Sequence, residues 1–259
     1  MFVHVSLDRY PVGVAAIAFS VGAVLVFQAI VRKSIGPETL KKSHEVGGYY
    51  LSLVGTFYAV LLGLVVLDAM GKFQSAEKTV QNEAKALLSI HSLSEQFPGE
   101  QAAVKDLVKS YAREVADKEW ALMEKGQVSA KAQHTLLLLA RHVKSLDPKT
   151  PNQQSVHPAL LSEIISLWEN RLDRTRVSNF GVPTAEWVVL LVGAAITIAF
   201  TFFFTTESHG IHLVMRGMVT LLIAMSLYLV LLFGSPFSGD LKVSQRPFLF
   251  IEDVASEFL

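Results

Sequence analysis

The sequence contains no cysteine and no excess of charge, with 23 basic and 23 acidic residues among 259. The absence of cysteine excludes disulfides, thiol catalysis and cysteine-ligated metals. Because the charges balance, the chain has no general electrostatic attraction to nucleic acid. The composition therefore removes several classes of function before any motif is considered.

Recognisable catalytic motifs are absent as well. The chain has no Walker loop, GxSxG elbow, HExxH motif or dinucleotide-binding fingerprint. Its eight histidines are scattered. His209 and His212 are three residues apart in what we interpret as a short loop, which is weak evidence for a metal site. We therefore predict that the protein is not an enzyme and has no metal, cofactor or nucleic-acid partner.

Long apolar runs dominate the sequence, which is 51% hydrophobic and has a mean hydropathy of +0.39. Four runs reach about 20 residues without a charge, the length that crosses a bilayer core as a helix. No Asp, Glu, His, Lys or Arg lies inside these runs, so they mark no proton relay or buried counter-ion. They cover residues 11–31, 47–67, 187–206 and 217–237.

The second apolar run continues into a polar segment with the same helical periodicity. No proline occurs between Gly47 and Pro98, and Gly71 in the polar part costs only about 1 kcal/mol in a helix. Pro98 must end the helix, because proline lacks the backbone donor and clashes with the preceding turn. We predict one helix from Gly47 to Phe97, roughly 75 Å long at 1.5 Å per residue, which begins in the membrane and leaves it.

The predicted fold is an all-α integral membrane protein in which a helical-bundle soluble domain is inserted between the second and third of four transmembrane helices. In the soluble domain, Gly126 closes the second helix and Ser129 caps the third. Three prolines in residues 147–158 predict a long irregular loop before the fourth. The predicted domains are a first transmembrane hairpin (1–70), the soluble domain (71–182), a second transmembrane hairpin (183–239) and an amphipathic C-terminal tail (240–259).

Two further expectations concern the soluble domain and the tail. Arg171 and Arg174 are expected to pair with acidic residues of the long helix and of the second soluble helix, Glu83 and Glu119. Pro236 should end the fourth span and Gly239 should let the chain turn. The tail is then expected to dock through its apolar side chains, which are Phe248, Phe250, Ile251 and Val254.

Four spans place both termini and the soluble domain on one side of the membrane. Nine basic residues flank the spans on that side and five lie on the other. Basic residues near span ends favour the cytoplasm, so we expect the soluble domain and both termini to be cytoplasmic.

Small residues at spacings of three and four line one face of the second span. Such a stripe lets a neighbouring helix backbone approach closely, either within the chain or around a symmetry axis. In the second case the adjacent flank faces the axis, and an apolar flank can gate a pore by excluding water. The stripe is Gly48, Ser52, Gly55, Ala59 and Gly63, and the flank is Thr56, Val60, Leu64 and Leu67.

Several blocks of the sequence resemble the bacterial bestrophin-like domain family of unknown function. They occur in that family's order from residue 47 onward and are FYAVLLGLVV, KTVQNEAKALL, YAREVADKEW, ENRLDRTRV, VPTAEWVVLLVGA and SPFSGDLKV. The family's usual tryptophan after the second span is replaced by Asp68-Ala69-Met70. A bacterial multi-pass protein of this kind is expected in the inner membrane.

A more distant resemblance is to the true bestrophins, which are homopentameric anion channels with four spans per subunit and a helical cytoplasmic domain. Their second span lines a hydrophobic neck, and the resemblance implies that Leu62-Gly63 matches a Leu-Gly pair there, with Thr56, Val60 and Leu64 facing the pore. This chain has a threonine and smaller side chains where bestrophin necks carry bulky ones. It has no evident acidic calcium clasp, so anion conduction and calcium gating stay open.

Two functions follow from these observations. The first is an oligomeric ion channel, a pentamer or tetramer in the lipid bilayer, with unknown ion selectivity. The alternative is a non-conducting membrane scaffold or sensor whose helical domain binds a partner. A ring of subunits with an axial cavity would favour the channel.

Overall fold

A computed structural model describes residues 8–34, 44–179, 181–202, 204 and 209–257. All regular secondary structure in these residues is helical, which confirms the all-α part of the predicted fold class. A 3₁₀ turn (Ser94–Gln96) follows the second helix and a π-helical segment (Val115–Glu119) follows the third. The α-helices are α1 (Tyr10–Ser34), α2 (His44–Leu93), α3 (Gln101–Glu114), α4 (Trp120–Met123), α5 (Ala130–Lys144), α6 (Pro151–Asn179), α7 (Thr184–Thr201), α8 (His209–Gly234) and α9 (Arg246–Glu257).

Four of the described helices are long and apolar enough, by length and composition, to cross a membrane. The fourth candidate segment is Gly210–Gly234, which begins seven residues earlier than the sequence analysis placed it. The expectation that no ionisable residue lies in a span is therefore wrong for His212 and Arg216. The residues of the segment before Arg216 are helical and, apart from His212, apolar, so a single arginine does not interrupt the helix.

The long helix predicted from the absence of proline is present. α2 has 50 residues without a break. The 3₁₀ turn that follows it ends at Gln96, and the backbone amide of the next residue, Phe97, donates to the carbonyl of Ser94. Gly71 is helical. The ion pair of Lys72 with Asp68 spans one turn of this helix, with an N–O distance of 2.6 Å.

The chain divides into two compact units. The first unit comprises the described residues up to Lys72, Val182–Ser235 and Gly239–Leu241. Its core is formed where α2, α7 and α8 meet. The buried side chains at this contact are Tyr58, Leu62, Leu190, Ala194, Ile223 and Val230.

The second unit comprises Phe73–Gly181, Pro236–Ser238 and the described residues from Lys242 onward. It therefore takes in Pro236, which the sequence analysis assigned to the second transmembrane hairpin. Its apolar core draws residues from the end of α2 and from α3, α5 and α6, whose apolar stripes face each other. The most buried of these include Leu87, Ile90, Val108, Leu136 and Leu139.

The C-terminal tail docks on the core of the second unit. Phe248 and Ile251 of α9 are buried, whereas Phe250 is exposed, and the side chain of Val254 lies outside the described residues. The ring of Phe248 lies 5.8 Å from that of Trp120. The indole nitrogen of Trp120 donates to the carbonyl of Val243 at 3.1 Å, which anchors the segment leading into α9.

The predicted long loop at residues 147–158 is wrong, because α6 already begins at Pro151. Thr150 caps the helix: its hydroxyl accepts from the amide of Gln153, whose side chain accepts from the amide of Thr150. This reciprocal arrangement is a capping box, with proline at the first helical position, where its missing donor costs nothing. Pro158 lies inside the helix.

Candidate functional site

One side of α2 packs within the first unit. Tyr58 and Leu62 are less than a tenth exposed, and the ring of Tyr58 lies against the backbone of Gly193 in α7. A Cβ atom at Gly193 would be 2.5 Å from that ring, so only glycine permits this approach. The contact fixes which side of α2 faces its own chain.

The opposite side of α2 is uncovered. Val60, Leu64 and Leu67 are 60%, 64% and 65% exposed, and Thr56 is exposed as well. At 100° per residue these four positions share one face, opposite Tyr58, and they extend over roughly 16 Å of helix. We refer to Thr56, Val60, Leu64 and Leu67 as the outer face of α2.

The small-residue stripe lies beside the outer face and makes almost no contact within the chain. A Cβ atom at Gly55 or Gly63 would meet nothing within 4 Å, and one at Gly48 would only touch Phe204 at 3.8 Å. Ser52 and Ala59 are exposed. The sequence analysis left two uses for the stripe, helix packing within the chain and helix packing around a symmetry axis. Within the described residues, the stripe does not serve the first.

The outer face offers little hydrogen-bonding capacity. The hydroxyl of Thr56 donates to the backbone carbonyl of Ser52 at 2.8 Å, and that of Ser52 donates to Gly48 at 3.0 Å. Both hydroxyl donors are therefore used within α2. The first charges after the face are the paired Asp68 and Lys72. A surface of this kind is poorly hydrated and presents no hydrogen-bond donor to an anion.

The second unit contains a buried charged cluster, which we define as Glu83, Glu119, Arg171 and Arg174. Arg174 donates to both oxygens of Glu83, at 2.6 and 2.9 Å, and to Glu119 at 2.9 Å. Its third nitrogen contacts the sulfur of Met123 at 3.1 Å. Neither Arg174 nor Glu83 has any exposed side-chain surface.

Arg171 completes the charged cluster from one turn earlier on α6. It donates to the two oxygens of Glu119, both at 2.7 Å, in the bidentate geometry that makes arginine–carboxylate pairs strong. Tyr111 links the two pairs, because its hydroxyl donates to Glu83 at 2.6 Å and accepts from Arg171 at 3.2 Å. The two positive and two negative charges balance, as burial requires.

The electrostatics of the charged cluster favour the charged forms of Glu119, Arg171 and Arg174. Burial by itself raises the pKa of the Glu119 carboxyl, but the charge of Arg174 and the hydrogen bonds from Arg171 outweigh it, so the pKa lies below its usual range. Burial likewise lowers the pKa of Arg174, and Glu83 more than offsets it. Burial and Glu83 raise the pKa of Tyr111, which keeps its hydroxyl a donor.

A π-helical segment (Val115–Glu119) brings Glu119 into the charged cluster. It inserts a wider turn between α3 and α4, and such π-bulges are frequent at functional positions. The carboxylate of Glu119 also accepts from the amide of Ser129 at 2.9 Å. Sequence reasoning found the four charged members but missed Tyr111, whose place in the apolar stripe of α3 gave no indication of a polar role.

Neither histidine of the suspected pair lies in a loop, because both belong to α8. The Nε2 atom of His212 lies 3.3 Å from a guanidinium nitrogen of Arg216. The side chain of His209 is outside the described residues. Within the part of the chain that the structure describes, no group of three potential metal ligands occurs.

Comparison with known proteins identifies the fold. The family model of the Bestrophin-like domain matches residues 18–248. A point-mutant crystal structure of a bacterial bestrophin homologue from Klebsiella pneumoniae superposes with a TM-score of 0.73 and 14% identity, over 92% of this chain and 98% of that one. A second crystal structure of the Klebsiella pneumoniae homologue gives a TM-score of 0.72 and 14% identity, over 93% and 97% of the two chains. No curated protein sequence matches the chain. At this identity the structural likeness establishes the fold.

Proposed function

Since this chain belongs to the Bestrophin-like domain family, we propose that it is a subunit of a homo-oligomeric membrane ion channel. The observation that carries the proposal is the uncovered outer face of α2. This face is exposed in the single chain, is largely apolar, and is flanked by a stripe of small residues that the described chain leaves almost uncovered. Identical subunits arranged around an axis would cover both features at once.

In the proposed topology α1, the first part of α2, α7 and α8 cross the membrane. The second unit is then a soluble domain inserted between the second and third spans, on the cytoplasmic side of the inner membrane together with both termini. Because the natural chain has no cysteine, a single cysteine at exposed Gln127 tests this orientation. A membrane-impermeant maleimide should label it in inside-out vesicles and leave it unlabelled in intact cells.

The outer face forms the pore in this proposal. The small-residue stripe permits close approach between neighbouring copies of α2, and the outer face then points at the axis. An apolar ring a few Å in radius excludes water and blocks ions without a charged gate. Since the hydroxyl of Thr56 is already used as a donor within the helix, the face is suited to gating, and ion selectivity is set by other residues.

Single-channel recording in planar bilayers tests the proposal directly. Leu64→Ala and Val60→Ala should raise conductance or open probability, because each widens an apolar ring. Val189→Ala is the matched control: Val189 is half exposed on α7, and the same truncation there should leave the current unchanged. Current that is absent from the wild type and from both outer-face variants rejects the channel.

A second candidate function is a non-conducting scaffold or sensor. The observation in its favour is an apolar stripe on α6 of the second unit, where Ile165, Trp168 and Leu172 are 59%, 38% and 59% exposed at helical spacing. Such a stripe is suited to binding another protein. An assembly without an axial cavity, silent in bilayers, would favour this function.

A further inference from the structure

A large apolar cavity lies in the first unit, between α1, α7 and α8. Its volume is about 760 Å³. On α1 its lining extends from Gly13 to Phe27, which corresponds to roughly 21 Å at 1.5 Å per residue. Small side chains on all three helices create the space, among them Ala23, Ala199 and Ala224. The cavity is thus long and apolar, and its length suits an extended hydrocarbon chain.

A buried cation adjoins one end of this cavity. Arg216 is only 4% exposed, and its guanidinium carbon lies 4.2 Å from the ring centre of Phe202, which lines the cavity. Thr220, one turn further along α8, also lines the cavity and donates to the carbonyl of Arg216. The cation and the cavity therefore share two neighbouring residues.

The positive charge of Arg216 is not neutralised by the part of the chain that the structure describes. Its guanidinium donates to the carbonyl of Thr201 at 2.6 Å and lies 3.3 Å from the ring nitrogen of His212, and neither group carries a negative charge. Its Nε atom is buried and has no hydrogen-bond partner among the described residues. A buried charge without a counter-ion is costly, so the arrangement calls for an external anion.

We propose that this cavity binds an anionic phospholipid. One acyl chain occupies the apolar cavity, and the headgroup phosphate accepts hydrogen bonds from Arg216. The charge at the end of the cavity selects an anionic lipid over an apolar helix of a second copy, because such a helix would supply no counter-ion to the buried cation. The inference depends on the proposed crossing of the membrane by α1, α7 and α8, and it is independent of ion conduction.

Tryptophan fluorescence can test the site because Trp187 lines the cavity. The full-length protein is reconstituted in phosphatidylcholine vesicles that contain increasing amounts of either brominated phosphatidylglycerol or brominated phosphatidylcholine. Bromine quenches indole on contact, and Trp187→Phe identifies the part of the signal that comes from this residue. We expect saturable quenching with a preference of about fivefold for the anionic lipid, the size of one arginine–headgroup contact.

Three variants separate the headgroup from the acyl chain. Arg216→Gln should abolish the preference and leave weak quenching by both lipids, whereas Arg216→Lys should retain part of it. Ala199→Phe fills the cavity and should reduce quenching by both. Arg9→Gln is the matched control, since Arg9 is an exposed arginine of the same unit, and it should keep the wild-type preference.

Two outcomes overturn the proposal. Equal, non-saturating quenching by both lipids means that Trp187 contacts only bulk lipid. Absence of quenching by either lipid means that another part of the assembly fills the cavity. Neither outcome depends on an ion current, so the lipid-site proposal and the channel proposal can be rejected independently of each other.

Discussion

The guanidinium of Arg174 and the carboxylate of Glu83 form a fully buried ion pair between α6 and α2, with an N–O distance of 2.6 Å. The two residues are 91 positions apart in sequence. Because Glu119 of the π-helical segment also accepts from Arg174, one side chain holds together three segments of the second unit. The charged cluster is therefore the main polar constraint on how this bundle packs.

Removing Arg174 should destabilise the protein strongly. Arg174→Met keeps most of the side-chain length but leaves Glu83 without its ion-pair partner in an apolar environment, which costs about 3–5 kcal/mol. The matched control is Lys72→Met, which breaks the largely exposed pair with Asp68 and should cost only about 0–1 kcal/mol. Thermal unfolding followed by circular dichroism in detergent compares the two. If both variants lose the same Tm, the buried pair of Arg174 with Glu83 contributes no more to stability than the exposed pair of Lys72 with Asp68.

Acidification should weaken the charged cluster through Glu119. The folded-state pKa of this carboxyl is lowered, chiefly because Arg174 and Arg171 outweigh the effect of burial. A lowered carboxyl pKa gives stability that is fully present above the unfolded value, about 4.3, and is lost as pH falls through the folded value. The Tm of the wild type should thus be flat near neutral pH and fall below about pH 4.

Two glutamate variants test the assignment of this acid transition. Glu119→Gln should have a lower Tm at neutral pH and a shallower fall on acidification, because the group responsible is gone. Glu124→Gln is the control, since Glu124 pairs with Lys242 on the surface, and it should keep the wild-type pH profile. A wild-type slope in Glu119→Gln would assign the transition to other carboxyls.

The long-range features that sequence reasoning predicted rest on simple physical rules. The absence of proline between Gly47 and Pro98 was enough to predict the long helix, since no other residue stops a helix as effectively. Arg171 and Arg174 are three apart on a helix and so share a face. Glu83 and Glu119 were expected as their ion-pair partners because both lie in the family blocks.

Sequence reasoning missed features for which two local signals disagree, and features that depend on tertiary packing. Thr150 and Gln153 form a capping box around Pro151, and this T-x-x-Q pattern was present in the sequence but was outweighed by the count of prolines. The π-helical segment has no recognisable sequence signal, although it contains Glu119, which contacts both arginines. Arg216 was taken as the boundary of a span, although one arginine can lie inside an apolar helix when it is buried against neighbours.

Gly193 should tolerate no side chain, because its surface is the contact for Tyr58. In Gly193→Ala the new Cβ atom would lie 2.5 Å from the tyrosine ring, and such overpacking costs about 1–3 kcal/mol. Gly22→Ala is the control, since a Cβ atom there meets nothing within 4 Å, and alanine favours a helix over glycine by about 0.5–1 kcal/mol. Unfolding in detergent should show a lower Tm for the first variant alone. A Tm unchanged by Gly193→Ala would mean that the ring of Tyr58 moves aside freely.

The small-residue stripe of α2 should be required for assembly. Gly55 and Gly63 have open space above them in the single chain, so Gly55→Leu and Gly63→Leu should leave the subunit folded. If neighbouring copies of α2 approach along this stripe, each leucine adds a bulky side chain to a close helix contact and should lower the yield of oligomer. Size-exclusion chromatography with light scattering gives the oligomer mass, and circular dichroism verifies the fold.

Gly22→Leu is the matched control for the stripe variants, because Gly22 is a helical glycine of α1 that also has open space around it. It should assemble as the wild type does. Leu64→Ala, on the outer face beside the stripe, should also assemble normally and change only the current. If Gly63→Leu assembles as well as Gly22→Leu, the subunits do not meet along this stripe. There is then no reason to place the outer face of α2 at the symmetry axis.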